Sequence, residues 1–237
     1  MTFKPQFSGF FYVWYKYLPM RKYLVFIIYL SCFSRSSAQA DTGLIKEHLL
    51  KLTQTPAYRT HINIAQLNNT AEYIKSQFET YSDSTSFQEF TVEGSTYKNV
   101  ISSFGPAHAP RIIIGAHYDV CGPQEGADDN ASGVTGLLEL ARLLQNKKLN
   151  YRIDLVAYTL EEPPHFRTEN MGSFHHAKYL YDNHIEVYGM ISLEMIGYFS
   201  DAKNSQDYPA RFLSLIYGKT GDYITLVRKN GSGKFAR

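Results

Sequence analysis

The stretch Arg111–Leu144, RIIIGAHYDVCGPQEGADDNASGVTGLLELARLL, constrains the fold of this 237-residue chain more than any other. Its apolar run Ile112-Ile113-Ile114 is short and β-branched, as in a strand buried on both faces. The run ends in Gly115-Ala116-His117, and a polar loop carrying Asp119, Asp128 and Asp129 follows. From Asn130 onward Val134, Leu137, Leu138, Ala141 and Leu144 recur at helical spacing, with Asn130 and Ser132 both suitable N-caps. Strand, polar loop and helix in this order imply an α/β fold. They also put a histidine and several carboxylates beyond the end of a buried strand, where open α/β sheets bind ligands.

The flanking sequence extends the pattern. Helices are expected over Asp41–Leu52, Thr70–Tyr81 and Ser173–Tyr181, and Arg59–Asn69 reads as polar loop. Phe87–Val92 and Tyr97–Phe104, joined by Glu93-Gly94-Ser95, read as a hairpin. Arg152–Leu160 is a strand that ends at Glu161-Glu162, where Pro163-Pro164 blocks an immediate helix. Val187–Leu193 is an apolar strand that ends at Glu194. No clean period appears between Ala210 and Val227, and the chain carries no internal repeat.

Residues 1–40 contain five basic residues and no acidic one. Without them, 19 basic residues face 22 acidic ones, a balance that gives no reason to expect nucleic-acid binding. Met20-Arg21-Lys22, the apolar core Tyr23–Phe33 and the small residues Ser36–Ala40 form a leader, with Ala38-x-Ala40 as the cleavage signal before Asp41. The alternative is an uncleaved anchor, but the core is short for a bilayer span. Translation is expected to start at Met20. The mature chain is then secreted or periplasmic, with no stable membrane association. It holds one cysteine, Cys121, expected to be a small buried filler, and no intrachain disulfide.

Three strands thus end in His117, Glu161-Glu162 and Glu194, with Asp128-Asp129 nearby in sequence. Alone, each has a bland reading: a strand-end glutamate is usually a solvated charge, and a histidine after a buried strand a hydrogen-bonded core residue. If the strands are parallel neighbours, however, these groups converge, and so many carboxylates repel one another unless a cation neutralises them. A mixed imidazole and carboxylate set suits zinc better than calcium. Adjacent carboxylates at a strand end point in opposite directions, so one of Glu161 and Glu162 can bind metal while the other faces substrate as a general base.

GAHYDV, GADDNASG, AYTLEE and SLEMIGY, in this order and spacing, resemble the zinc aminopeptidases of peptidase family M28, over roughly Arg59 to Val227. The resemblance implies a central mixed, mostly parallel sheet flanked by helices, with two zinc ions per complete domain. His117 and Glu194 would bind one zinc, Asp129 would bridge both and Glu162 would bind the other. Glu161 would be the general base, Asp119 would orient His117, and the Asp129–Asn130 peptide would be cis. Two features depart from the family pattern. Glu194 stands where the family often has aspartate, and no histidine follows His184 to supply the family's last ligand. The domain, residues 41–237, is therefore expected to be truncated at its C-terminus, with one zinc site short of a ligand. His165, His175 and His176 do not match the missing position.

The leading functional expectation is a metallo-aminopeptidase that hydrolyses N-terminal residues from peptides through a zinc-bound hydroxide, with Glu161 as base. A glutaminyl cyclase-like enzyme with one zinc is an alternative, disfavoured because His117 is in place for two metals. An inactive fragment or binding module is another, because the last imidazole is absent.

Overall fold

The computed structural model describes residues 39–208, 210, 212–229 and 235. The leader, expected within residues 1–40, lies outside them except for its last two residues. Among the described residues no helix is long and apolar enough to cross a membrane.

Asp41 caps the first helix, α1 (Thr42–Thr53), with its Oδ1 accepting the Leu44 N–H at 3.0 Å. The second helix, α2 (Ile64–Glu79), starts six residues earlier than its sequence suggests. Asn63, Gln66, Asn68 and Asn69 make that first turn look like loop, yet Leu67 lies on the same buried face as Ala71, Ile74 and Phe78. Burial of that face outweighs the weak local propensity of the asparagines. Strands β1 (Ser84–Val92) and β2 (Ser95–Phe104) form the expected hairpin. Its two-residue turn, Glu93-Gly94, has positive φ at both positions, the geometry that matches the twist of paired strands.

The remaining elements alternate. Strand β3 (Arg111–His117) leads through a π-type turn (Ala127–Ser132) into α3 (Gly133–Leu144). Strand β4 (Arg152–Tyr158) leads into α4 (Gly172–Asp182), and β5 (Val187–Ser192) is followed by a short helix, α5 (Leu213–Tyr217). The sheet order is β1-β2-β4-β3-β5. Pairing is antiparallel for β1–β2 and β2–β4 and parallel for β3–β4 and β3–β5, so the sheet is mixed and its parallel half carries the acidic strand ends. The α1, α2 and α3 side chains Leu52, Phe78, Leu137 and Leu138 share one core with Val100 and Leu155 of the sheet. Leu180 of α4 packs with Ile113, Val156 and Tyr158 in a second cluster. At the amino edge of the parallel half, the buried Asp154 accepts from Ser103 Oγ (2.7 Å), Arg111 Nη1 (2.5 Å) and Arg152 Nε (3.0 Å). Among the described residues strand β5 has a partner on one side only, and Val187, Tyr188, Met190 and Ile191 are each about two-fifths exposed or more.

The loop after β3 is held by Arg59, the largest fully buried side chain. Its guanidinium donates to the carbonyls of Tyr118 (2.7 Å), Glu125 (2.9 Å) and Gly126 (3.3 Å), and to that of Leu52 at the end of α1. Its own carbonyl accepts the Val120 N–H at 3.0 Å. Burial lowers the arginine to about 10, partly offset by Asp119, so the guanidinium stays charged at neutral pH. Cys121 lies on the outer side of this loop and is exposed, not buried as expected, because the loop spends its inward positions on Asp119, Val120 and the carbonyls that meet Arg59. Arg59→Met should lower stability by about 3 kcal/mol, since several buried carbonyls lose their donor. Removing the exposed Lys178–Asp182 pair of α4 should leave the unfolding midpoint unchanged. Urea unfolding of the two variants tests the contrast.

Candidate metal centre

The parallel register sets His117 opposite Tyr158, and the Leu193 N–H donates to the Gly115 carbonyl at 2.8 Å. The carboxyl ends of β3, β4 and β5 therefore meet at one edge of the sheet. Glu161 and Glu162 follow β4 by three and four residues, in loop rather than at the last strand position. The π-type turn brings Asp129 across to the same place. Asp129 and Asn130 leave helical φ/ψ inside that turn, and the peptide between them is cis.

His117, Asp129 and Glu194 each present a ligand atom within 4.8 Å of the others. Around His117 Nε2 lie Asp129 Oδ1 at 3.1 Å, Glu194 Oε1 at 3.5 Å and Glu162 Oε1 at 3.8 Å. All four residues expected to bind metal are thus neighbours. On the other side of the ring, Nδ1 is 3.1 Å from the Asp119 carbonyl and 3.6 Å from its Oδ1. A donor bond from Nδ1 to that carbonyl leaves the Nε2 lone pair pointing at the carboxylates, the tautomer a metal requires.

The Asp119 carboxylate does something the sequence did not suggest. Its two oxygens accept the backbone N–H groups of Glu161 (3.2 Å) and Glu162 (3.1 Å), so it fixes the acidic pair as well as the histidine. The pair then diverges. Glu162 turns toward His117, whereas Glu161 accepts from the Ser173 N–H (2.7 Å) and Ser173 Oγ (2.8 Å) in the first turn of α4. Burial pushes both carboxyls up from the ordinary range. For Glu161 the Ser173 bonds oppose that rise, and for Glu162 the charge on Asp129 adds to it.

Asn130 is the second unforeseen residue. Its sequence marks it as an N-cap, and Oδ1 does accept the Gly133 N–H at 3.2 Å. The fully buried side chain also donates to the Leu193 carbonyl (2.9 Å) and Glu194 Oε2 (3.3 Å), and accepts the Met195 N–H (3.3 Å). Asp128 Oδ1 accepts the Gly197 N–H at 2.8 Å, and Ser132 Oγ the Ile196 N–H at 3.1 Å. The turn bearing Asp129 and the segment bearing Glu194 are thereby sewn together. Asn, Asp and Ser at helix starts are too common for sequence alone to reveal this use.

The donor set fits a divalent transition ion. Asp129 Oδ1 is buried and makes no properly aligned hydrogen bond, although His117 Nε2 is close. Burial opposes charge on His117, yet Asp119, Asp129 and Glu194 outweigh it and push the ring up to about 12. Positive charge at this point is strongly favoured. One imidazole and two carboxylates are three protein ligands, the number a catalytic zinc keeps while leaving a position open. A second ion would have Asp129 and Glu162. His165, His175 and His176 are engaged elsewhere: with Asn170 and His61, stacked on Phe90, and bonded to Tyr158 Oη at 2.9 Å, respectively. Beside the cluster opens a cleft of about 590 Å³ whose walls include Glu161, Tyr158, Phe166, Met171 and Met190.

Comparison with known proteins agrees with this geometry. The chain is 47% identical over 184 residues to the uncharacterized protein YfbL of Escherichia coli (strain K12), a match covering 74% of this chain and 56% of that one. The LapA aminopeptidase of Legionella pneumophila superposes with a TM-score of 0.59 at 27% identity, over 75% of this chain and 50% of LapA. A glutaminyl cyclase of Porphyromonas gingivalis shares the fold, with a TM-score of 0.59 at 22% identity, over 73% of this chain and 65% of the cyclase. The chain thus spans between about half and two thirds of the length of these relatives. The sequence model of peptidase family M28 matches residues 99–222, just over half of the chain and the whole of the strand-end constellation, and the chain belongs to that family.

Proposed function

We propose that the protein is a zinc-dependent aminopeptidase. The observation that carries this reading is the buried, unbonded Asp129 Oδ1 set against His117 Nε2 and Glu194 Oε1, with a half-buried acid, Glu161, facing the same cleft. His117, Asp129 and Glu194 would hold one zinc. Asp129 and Glu162 would contribute to a second, and Asp119 would orient His117. Zinc bound there supplies a Lewis acid for the substrate carbonyl and acidifies a water molecule.

The protein's own groups do the rest. Glu161 is a carboxylate that burial holds above its ordinary range, suited to take a proton from the attacking water and return it to the departing amine. Ser173 holds both Glu161 oxygens in place without taking its charge. Phe166, Met171 and Met190 line the same cleft and give a substrate side chain an apolar surface to rest on. Surplus negative charge from Glu162 and Glu194 favours a substrate that brings its own ammonium, as the free N-terminus of a peptide does.

A glutaminyl cyclase is the second reading, favoured by the single three-donor cluster found among the described residues. The two differ in product. An aminopeptidase releases a free amino acid from a peptide, whereas a cyclase acting on N-terminal glutamine releases ammonia and leaves the chain length unchanged.

In the protein, Glu161→Gln should lower turnover about 10²–10⁴-fold and retain metal, as expected of a base that is not a ligand. Loss of metal together with activity would make Glu161 a ligand instead. For the 237-residue chain, metal analysis should find one tightly bound zinc, removed by His117→Ala, because the pair Asp129 and Glu162 offers a second ion only two protein ligands. Two tightly bound ions would mean that another residue completes the second site.

A further inference from the structure

Glu139 is a buried acid that takes no part in the metal centre. Glu139 lies in α3 among leucines and is 5% exposed. Arg142 pairs with it through Nε to Oε2 (2.9 Å) and Nη2 to Oε1 (2.7 Å). Oε1 also accepts the backbone N–H of Asp41 at 2.9 Å, across a sequence separation of 98 residues. Asp41 is where the fold starts, as the cap of α1, and a compact unit runs from Ala40 onward. Gln39, Ala40 and Asp41 are exposed, so the Ala40–Asp41 bond is open to a protease. The sequence places the end of its leader, Ala38-x-Ala40, at the same bond. A cleavage signal, the first residue of the fold and a buried carboxylate therefore meet at one nitrogen.

We propose that the chain is processed between Ala40 and Asp41, and that Glu139 is the receptor for the α-ammonium group created there. This does not rest on the peptidase reading. A leader-removing protease selective for small residues catalyses the cut, and water is the co-reactant. The amide C–N bond breaks, the water oxygen joins the Ala40 carbonyl carbon, and Ala40 departs as a carboxylate. The Asp41 nitrogen gains protons and becomes an ammonium without having to move. A neutral single donor becomes a charged triple donor against a carboxylate already in place, and charge-assisted hydrogen bonds are roughly twice as strong as neutral ones. Arg142 and the ammonium then share Glu139, while the Asp41 side chain, at the head of α1, keeps the local charge balanced. Since α1 packs against both α3 and the turn Ala127–Ser132, processing locks the first helix onto the element that carries Asp129.

Two measurements test this. Mass spectrometry of the exported protein should find Asp41 at the N-terminus. Thermal unfolding should then compare otherwise identical chains that begin at Asp41 or at Gln39, each with Glu139 or Glu139→Gln. The Asp41-first chain should melt about 2–4 °C higher, and Glu139→Gln should erase that difference. Should Glu139→Gln not fold, acetylating the Asp41 amine of the unmutated chain must reproduce the lower melting temperature. A different N-terminus, no difference between the two chains, or a difference that survives both Glu139→Gln and acetylation would overturn the proposal.

Discussion

The structure depends on keeping like charges together. Three carboxylate oxygens lie within 3.8 Å of a single imidazole nitrogen, and the carbonyl and carboxylate of Asp119 crowd its other side. Left to themselves these groups would separate or take up protons. Separation is prevented by one buried cation, a neutral amide and a carboxylate that accepts from the backbone. Arg59 grips the loop between His117 and Asp129 from below, Asn130 ties the turn to the end of β5, and Asp119 holds the two glutamates by their backbone. With movement blocked, neutralisation is left as the outlet, and a cation held between the side chains would provide it.

Much of this arrangement can be read without coordinates. The β-branched run before His117, the helical period after Asn130 and the recurrence of acids at strand ends are local patterns, and local patterns fix element type well. The parallel pairing that makes the ends converge is not local. It follows from α3 and α4 returning the chain to the same edge of the sheet, and the sequence offers it only as a condition or through resemblance to a family. Asn130 and Ser173 escape notice for a different reason. Each is a good residue at a helix start, so the local explanation suffices and conceals the long-range bond. Arg59 lies in a segment that reads as polar loop, and nothing in its neighbours announces that its partners are carbonyls about sixty residues away. Cys121 fails in the opposite direction, since a small apolar residue beside a buried strand invites a burial that the loop geometry does not permit.

The division of labour between adjacent glutamates has a simple origin. Once β4 has ended, Asp119 pins both amide groups from one side, and the two side chains must leave in different directions. One meets the histidine, and the other meets the start of α4, whose Ser173 offers a backbone and a hydroxyl donor together. Two chemically identical acids thereby acquire separate environments, as is needed when one is to bind an ion and its neighbour is to carry a proton.

Glu194 lies just beyond β5, which among the described residues is the strand of the parallel half paired on a single side. Its partner β3 is central, whereas β5 is an edge strand among the described residues, and edge strands exchange their backbone amides with solvent more readily than central ones. An ion held by His117, Asp129 and Glu194 would tie the end of this edge strand to the end of the central one. Thermodynamic reciprocity would then make any influence of the ion on pairing along the outer side of β5 equal to the influence of that pairing on the ion.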